Sequence, residues 1–372
     1  MGRKTEFLYL NEQEMIRAGV LDSARCIEVE KEIFRLLSAG DYVMGGDSGN
    51  SHGLPIRFPA SSPFPNMPLD GPDRRFMAMP AYVGGRFHVT GVKWYGSNIA
   101  NPQRGLPRSV LMIMLNDADT CEPIALMSGN LVSSVRTGCV PGVGTGYLAR
   151  KGAKVCACIG AGPVSKACFD AIRLEARALE EVVIYDLFRE KAEAFAAEIA
   201  GKHGLKVWAA DSLEQAARAA DIISVAASAL KPVNLKNEWL KPGSLVIFTG
   251  RCNIDEAYYA SAKIIWDNAR MHETYFEEHL RLPEEQRFVN GIGVGIYRMM
   301  HEGKLPPLSE AVSLGDVVSG RRAGRTDDDE RICFVTSGMP VWDVGWAYEI
   351  YLNAVKMGLG QKLLLWDSPY LS

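Results

Sequence analysis

The 372-residue chain has no excess of charge of either sign: 41 Lys and Arg stand against 44 Asp and Glu, a formal charge of -3. A protein without a bulk positive field is a poor binder of DNA or RNA, so nucleic acid is not an expected partner. Long apolar runs are missing as well. None approaches the roughly 20 residues that span a bilayer, and residues 1–10 are too short and too mixed for a secretory signal. The expected location is cytoplasmic, with no membrane partner. The eight cysteines form no CxxC pair and have no histidine companions at zinc spacing, and a chain of this size needs no disulfide staples. They read as reduced thiols, mostly core; Cys156 and Cys158, on one face of a strand, are expected to be small buried hydrophobes. His272 and His279 lie beside Glu273, Glu277 and Glu278 without a defined third ligand. That stretch reads as a charged helix face or lid, and no metal is expected.

What is present is ordinary for a globular protein, 47% hydrophobic and 23% charged residues, in enough length for two domains. Residues 11–37 repeat apolar side chains near the helical period. Residues 45–80, rich in Gly, Pro and Ser, predict irregular, partly extended chain around Arg57. Strands are expected at 87–94, 109–115 and 123–127, the last two joined by the hairpin-like turn NDADTCE. A helix over 133–148 is expected to be interrupted near Pro141. After Lys151, strands at 154–159, 181–185, 206–209, 221–226, 244–248 and 262–266 alternate with helices at 164–178, 190–203 and 213–219. Such alternation specifies a parallel sheet with helices on both faces. Residues 271–307 predict helix, loop and helix, 332–336 a strand, and 341–357 a helix that ends at Gly358. The expected fold class is α/β, a doubly wound parallel-sheet domain beside an α+β part.

The strand ending CACI leads into Gly160, Ala161, Gly162, Pro163, Val164 and Ser165, with Ser165 where a third glycine often stands. The first glycine permits a tight turn, the second lets backbone approach a pyrophosphate, and the following helix offers free N–H groups and a positive dipole end. Alone, this spacing is a weak signal. The next strand, EEVVIYD, ends in Asp186 about 20 residues on, where a carboxylate accepts hydrogen bonds from a ribose diol. Together they predict a dinucleotide site. Asp186 would repel a 2'-phosphate and so favours NAD, while Arg189 leaves NADP as the alternative.

Arg57, Lys93 and Arg136 lie outside that unit, each among apolar or small neighbours: LPIRFPA, TGVKWYG and SSVRTG. Singly, each reads as a surface cation. Their joint meaning comes from a resemblance. The RTG element, the GLP turn, the GRTxDDE link and the TSGxxxxD segment, in order from about Ala78 onward, resemble the ornithine cyclodeaminase and mu-crystallin family. The resemblance implies a Rossmann-type NAD(P)-binding domain at 136–329, and a substrate-binding and dimerisation domain from 1–135 and 330–372, usually as a homodimer. It also implies that Arg57, Lys93 and Arg136 bind a substrate carboxylate. Thr137, Gly160, Ala161, Gly162, Pro163, Val164, Ser165 and Asp186 would line the dinucleotide, and Thr336 falls where the family has a serine near the nicotinamide. Lys93 also stands as a candidate acid or base if burial and neighbouring arginines depress its pKa.

The chain departs from that pattern at LVIFTGRCNIDE. Family members that cyclise ornithine carry an aspartate where Arg251 stands, and an arginine is no base at neutral pH and repels a protonated side-chain amine. Arg251 is expected instead to recognise a distal acidic group, with Asp255 as the alternative occupant of the acidic role. Arg104 and Arg108, in NPQRGLPRS, add positive charge near the expected substrate. The expected function is an NAD(P)-dependent oxidoreductase acting on the C–N bond of an amino acid or its imine, with an anionic amino acid, imine or keto acid as substrate. Two alternatives stand beside it: a cyclodeaminase that uses NAD catalytically, and a ligand-binding protein without turnover.

Overall fold

Along Arg75–Val83 alternate residues are buried, Met77, Met79, Ala81 and Val83, which is the period of a sheet with one covered face. The structure, a computed structural model, describes residues 3–228 and 231–371. The chain divides into two units, one of Met1–Asp22, Ala39–Arg136 and Met339–Ser372, the other of Ser23–Ser38 and Thr137–Gly338. In the first unit an eight-stranded sheet runs in the order Gln361–Trp366, Thr5–Leu10, Pro123–Ser128, Ser109–Asp117, Val89–Ser97, Arg75–Val83 and Tyr42–Met44, with Leu54–Arg57 also paired to Arg75–Val83. Thr5–Leu10 pairs with Pro123–Ser128 in parallel; the other described pairings are antiparallel. The helix Pro340–Met357 covers the inner face. It comes so close that a Cβ on Gly91 would sit 3.2 Å from Val344 Cγ2. Trp342, Trp346 and Ile350 on this helix are fully buried, each contributing roughly 1.5–3 kcal/mol.

In the second unit a fully parallel sheet has the order Lys206–Ala209, Glu181–Tyr185, Val155–Ile159, Ile222–Val225, Leu245–Phe248, Ile332–Val335, Lys263–Trp266 and Val312–Ser313. Every residue of Ile222–Val225, Leu245–Phe248 and Ile332–Val335 is buried, as expected for strands covered on both faces. This is the doubly wound α/β fold anticipated from the alternation. Winding reverses beside Val155–Ile159, whose neighbours are the second and fourth strands of the series, and a ligand crevice opens at such a point.

Several elements differ from expectation. Residues 11–37 form two helices, Glu12–Arg17 and Ser23–Ala39, because Gly19 takes φ +94 between them. Ser23–Ser38 belongs to the second unit: Lys31 Nζ reaches Glu175 Oε1 at 3.0 Å, and a Cβ on Gly315 would strike Phe34 O at 2.5 Å. That unit also extends to Gly338, since Ile332–Val335 is an interior strand of its sheet. Helix Asn130–Leu148 runs unbroken through Pro141. Its small residues explain this, since Gly138 and Gly142 let it pack against Ala167 and Ala171 closely enough to offset one lost hydrogen bond. Residues 45–80 hold the strand Leu54–Arg57 and the start of Arg75–Val83. Among the described residues no helix is long and apolar enough to cross a membrane.

Candidate functional site

In the first unit, strand register puts Met79, Lys93 and Ile113 side by side on the inner face. Lys93 is therefore as buried as its apolar neighbours, with only 3% of its surface exposed. Its Nζ lies 2.8 Å from Asp343 Oδ2, and Arg136 Nε lies 2.9 Å from Asp343 Oδ1. Asp343 comes from the first turn of Pro340–Met357 and is fully buried; Arg136 comes from Asn130–Leu148 and is buried too. Two cations thus share one carboxylate, leaving one positive charge in excess. Burying an ion costs several kcal/mol unless it is paired. Burial and the Arg136 charge pull the Lys93 ammonium down to about 8, against the opposing pull of Asp343.

Two residues along the same strand face, Tyr95 has the Lys93 ammonium 5.6 Å and the Arg75 guanidinium 5.9 Å from its ring centre. Arg75 pairs in register with Arg57 on one side and Ser97 on the other, so Arg57 shares this face, exposed at its edge. Arg108 Nε donates to Asp73 Oδ2 at 2.6 Å, and Arg75 donates to Asp73 Oδ1. Arg57 and Arg108 therefore border a cationic patch whose buried end is Lys93 and Arg136. Asp343, which closes the TSGxxxxD segment, was given no role from the sequence, and Arg75 and Tyr95 were not singled out. The signal for Asp343 was a single acid inside the apolar run PVWDVGWAY, where a lone carboxylate needs cationic partners.

In the second unit, Gly160 takes φ +105 and lies so near the next strand's end that a Cβ would meet Ala227 Cα at 2.9 Å. At Gly162 a Cβ would meet nothing within 4 Å, so the space over the loop is open to a ligand. No side chain caps the helix Pro163–Glu175, whose first turn begins at Pro163 and Val164. Ala161 N–H donates to Asp186 Oδ2 at 2.9 Å and Phe188 N–H to Asp186 Oδ1 at 3.0 Å. That fixes the carboxylate beside the loop while each oxygen keeps a lone pair for a diol. Arg189 is engaged by Glu193 and by Asp211, which cancels the charge a 2'-phosphate would need. The residues present fit a dinucleotide without that phosphate. Ser165 is fully buried and its Oγ has no hydrogen-bond partner among the described residues. Thr137 is half-buried on Asn130–Leu148.

The neighbouring strand ends carry the remaining candidates. Thr336 N–H and Oγ1 both donate to Phe248 O, at 2.9 and 3.0 Å. Arg251, half-buried just past Leu245–Phe248, has its Nη1 3.3 Å from Asn290 Oδ1. Asp255 accepts from Asn237 N–H at 2.9 Å and so serves a local turn. His272 and His279 bind Asp267 and the Phe288 N–H respectively, and no cluster of three metal-ligating side chains occurs among the described residues. Burial pushes the Cys168 thiol up to about 12, so it is an inert core group.

The loop, its carboxylate and the reversal of winding make the second unit a Rossmann-type domain. Residues 20–358 match the model of the ornithine cyclodeaminase/mu-crystallin family, and the chain belongs to that family. It is 31% identical over 303 residues to a Delta(1)-pyrroline-2-carboxylate reductase of Bacillus cereus, covering 80% of this chain and 87% of that protein. It is 26% identical over 365 residues to the N-((2S)-2-amino-2-carboxyethyl)-L-glutamate dehydrogenase of Staphylococcus aureus, covering 97% and 99% of the two. The structure of Thermococcus litoralis Delta(1)-pyrroline-2-carboxylate reductase in complex with NADH and L-proline is similar over 96% of this chain and 100% of that one, with TM-score 0.78 and 25% identity.

Proposed function

We propose that this chain is an NAD-dependent oxidoreductase acting on the C–N bond of an α-amino acid or the corresponding imine. The observation that carries the proposal is the single excess positive charge of the buried Lys93, Asp343 and Arg136 group, which suits a substrate carboxylate. Relatives that reduce pyrroline-2-carboxylate or act on a carboxylated amino acid support the same class.

Bound NAD supplies the hydride chemistry. Arg57, Lys93 and Arg136 hold the α-carboxylate and so fix the orientation of the reacting carbon. Lys93 Nζ gives a proton to the substrate nitrogen during reduction and accepts one during oxidation; a pKa about 8 suits both directions near neutral pH. Asp343 keeps the Lys93 ammonium charged in the interior. Gly160, Gly162 and the first turn of Pro163–Glu175 receive the pyrophosphate, Asp186 the adenine ribose, and Thr336 borders the nicotinamide. Arg251 recognises a distal acidic group.

A homodimer completes the proposal. The outer face of the first unit's sheet exposes Phe76, Trp94, Val110, Met112 and Met114 together, with Phe76 and Trp94 stacked at 5.6 Å. Such a patch marks an interface, and an archaeal alanine dehydrogenase of similar fold is described as a dimer.

The test is a panel of amino acids with NAD+ and NADP+, and of cyclic imines and keto acid plus amine pairs with NADH and NADPH, run on the parent and on Arg251→Asp. Net absorbance change at the nicotinamide band with dicarboxylic substrates, lost in Arg251→Asp, is expected. Ammonia release without absorbance change would show a cyclodeaminase, and dinucleotide binding with neither signal a non-enzymatic binder.

A further inference from the structure

The interior of the second unit holds a polar chain that the proposed chemistry leaves unused. His272, fully buried on the helix Ala269–Leu280, has Nε2 2.7 Å from Asp267 Oδ1 and Nδ1 in hydrogen bond with the Tyr297 hydroxyl. Asp267 closes the strand Lys263–Trp266 and also accepts from Asn268 N–H and from Ser337 N–H, each at 2.7 Å. The Asp267 carboxylate accepts from Nε2–H, and the Tyr297 hydroxyl meets the other ring nitrogen, so both ring nitrogens are engaged. Burial raises the Tyr297 phenol well above its ordinary range, so it remains a donor.

The chain ends on two features of the candidate site. Through Asp267 it fixes Ser337, the neighbour of Thr336. Through Tyr297 it fixes the loop that meets Arg251: Tyr297 stacks on Trp266 at 5.6 Å, Phe288 packs against Tyr297 and Phe276, and two residues on Asn290 accepts from Arg251. The loop holds Phe288 at φ +53, a strained value for a bulky side chain that its surroundings must enforce, and Gly291 at φ +140. The segment is thus keyed into the strand ends by one imidazole.

We propose that His272 is a positioning residue that sets both the Thr336–Ser337 turn and the Arg251 side chain. This role rests on the proposed placement of the nicotinamide at Thr336 and of the substrate at Arg251. Nothing in it requires His272 to touch a ligand. Loss of a hydrogen bond to a charged acceptor costs about tenfold or more in the population of the ordered arrangement.

The experiment compares the parent with His272→Phe, His272→Gln and Tyr297→Phe. Amide exchange by mass spectrometry is expected to rise at 336–338 and 286–293 in His272→Phe, and less in His272→Gln, whose amide can still donate to Asp267. In turnover with NADH, His272→Phe should lose about tenfold or more in kcat while NADH affinity changes little, and a C4-deuterated cofactor should show a larger isotope effect. Tyr297→Phe, which keeps the ring packing, should raise exchange at 286–293 alone. Unchanged exchange at both segments, or a lower melting temperature with kcat and isotope effect intact, would overturn the positioning role. A parent without turnover on any amino acid or imine would instead overturn the proposed reaction, and the exchange data would still decide the fate of the network.

Discussion

Lys93, Arg136 and Asp343 place two positive charges and one negative in the interior of the first unit, whereas at the strand ends of the second unit the buried polar chain around His272 joins Asp267, His272 and Tyr297 through hydrogen bonds. The first arrangement costs desolvation energy and is held in place only by mutual pairing. The second is satisfied bond by bond, with donor and acceptor matched at each step. The two arrangements divide the labour. A buried cluster with excess charge is suited to recognising an anion and to moving a proton; a hydrogen-bond-saturated chain is suited to holding backbone still.

The largest expected effect breaks the charged side of the contrast. Asp343→Ala leaves Lys93 and Arg136 without their shared carboxylate and should cost about 3–5 kcal/mol, read from equilibrium urea denaturation. Next, Lys93→Met should lower kcat/KM at least about a hundredfold, the usual scale for a positioned proton donor, while Arg136 and Asp343 remain an even pair. This variant sharpens the comparison through pH. The folded pKa of Lys93 is lowered to about 8, below its ordinary 10.5. Below pH 8 the group is protonated folded or unfolded and the burial penalty is full; between 8 and 10.5 the folded state sheds the proton first. The unfolded state then binds more protons, so stability from this group rises with pH across that window. Lys93→Met should abolish that rise, and the imine-reduction rate of the parent should fall as pH passes about 8.

Smaller effects are expected in the second unit. Gly160→Val strains a φ of +105 and drives a side chain onto Ala227 backbone, for about 1–3 kcal/mol and a loss of NADH fluorescence enhancement on titration. Asp186→Asn should weaken NADH about tenfold, near 1.4 kcal/mol, and narrow its advantage over NADPH in the same titration.

The two regions also differed in how far the sequence disclosed them. Gly160, Gly162 and Asp186 were legible because the role proposed for them rests on backbone conformation and on a fixed spacing within one strand, loop, helix and strand. Lys93 and Arg136 were legible only through family resemblance, since nothing local says that residues so far apart share a carboxylate. Asp343, quoted only as the end of the TSGxxxxD segment, had no legible role and Arg75 went unremarked for the same reason: each is placed by a partner on another element, Asp343 by strand and helix neighbours and Arg75 by register with Arg57. His272 reads from the sequence as part of a charged helix face or lid, because its partners Asp267 and Tyr297 come from either side of it in the folded unit. The strand Ile332–Val335 was anticipated, yet its insertion between two earlier strands, which sets the unit boundary, is a fact of topology.

The most direct test of the central claim, that an excess buried positive charge selects a carboxylated substrate, compares NADH-dependent reduction of a cyclic imine bearing an α-carboxylate with that of the same imine lacking it. Rapid reduction of the carboxylated imine is expected, with a rate at least about a hundredfold lower without the carboxylate, since a charge-assisted contact and the orientation it enforces are both lost. Equal rates on the two, or reduction of the uncharged imine alone, would contradict it.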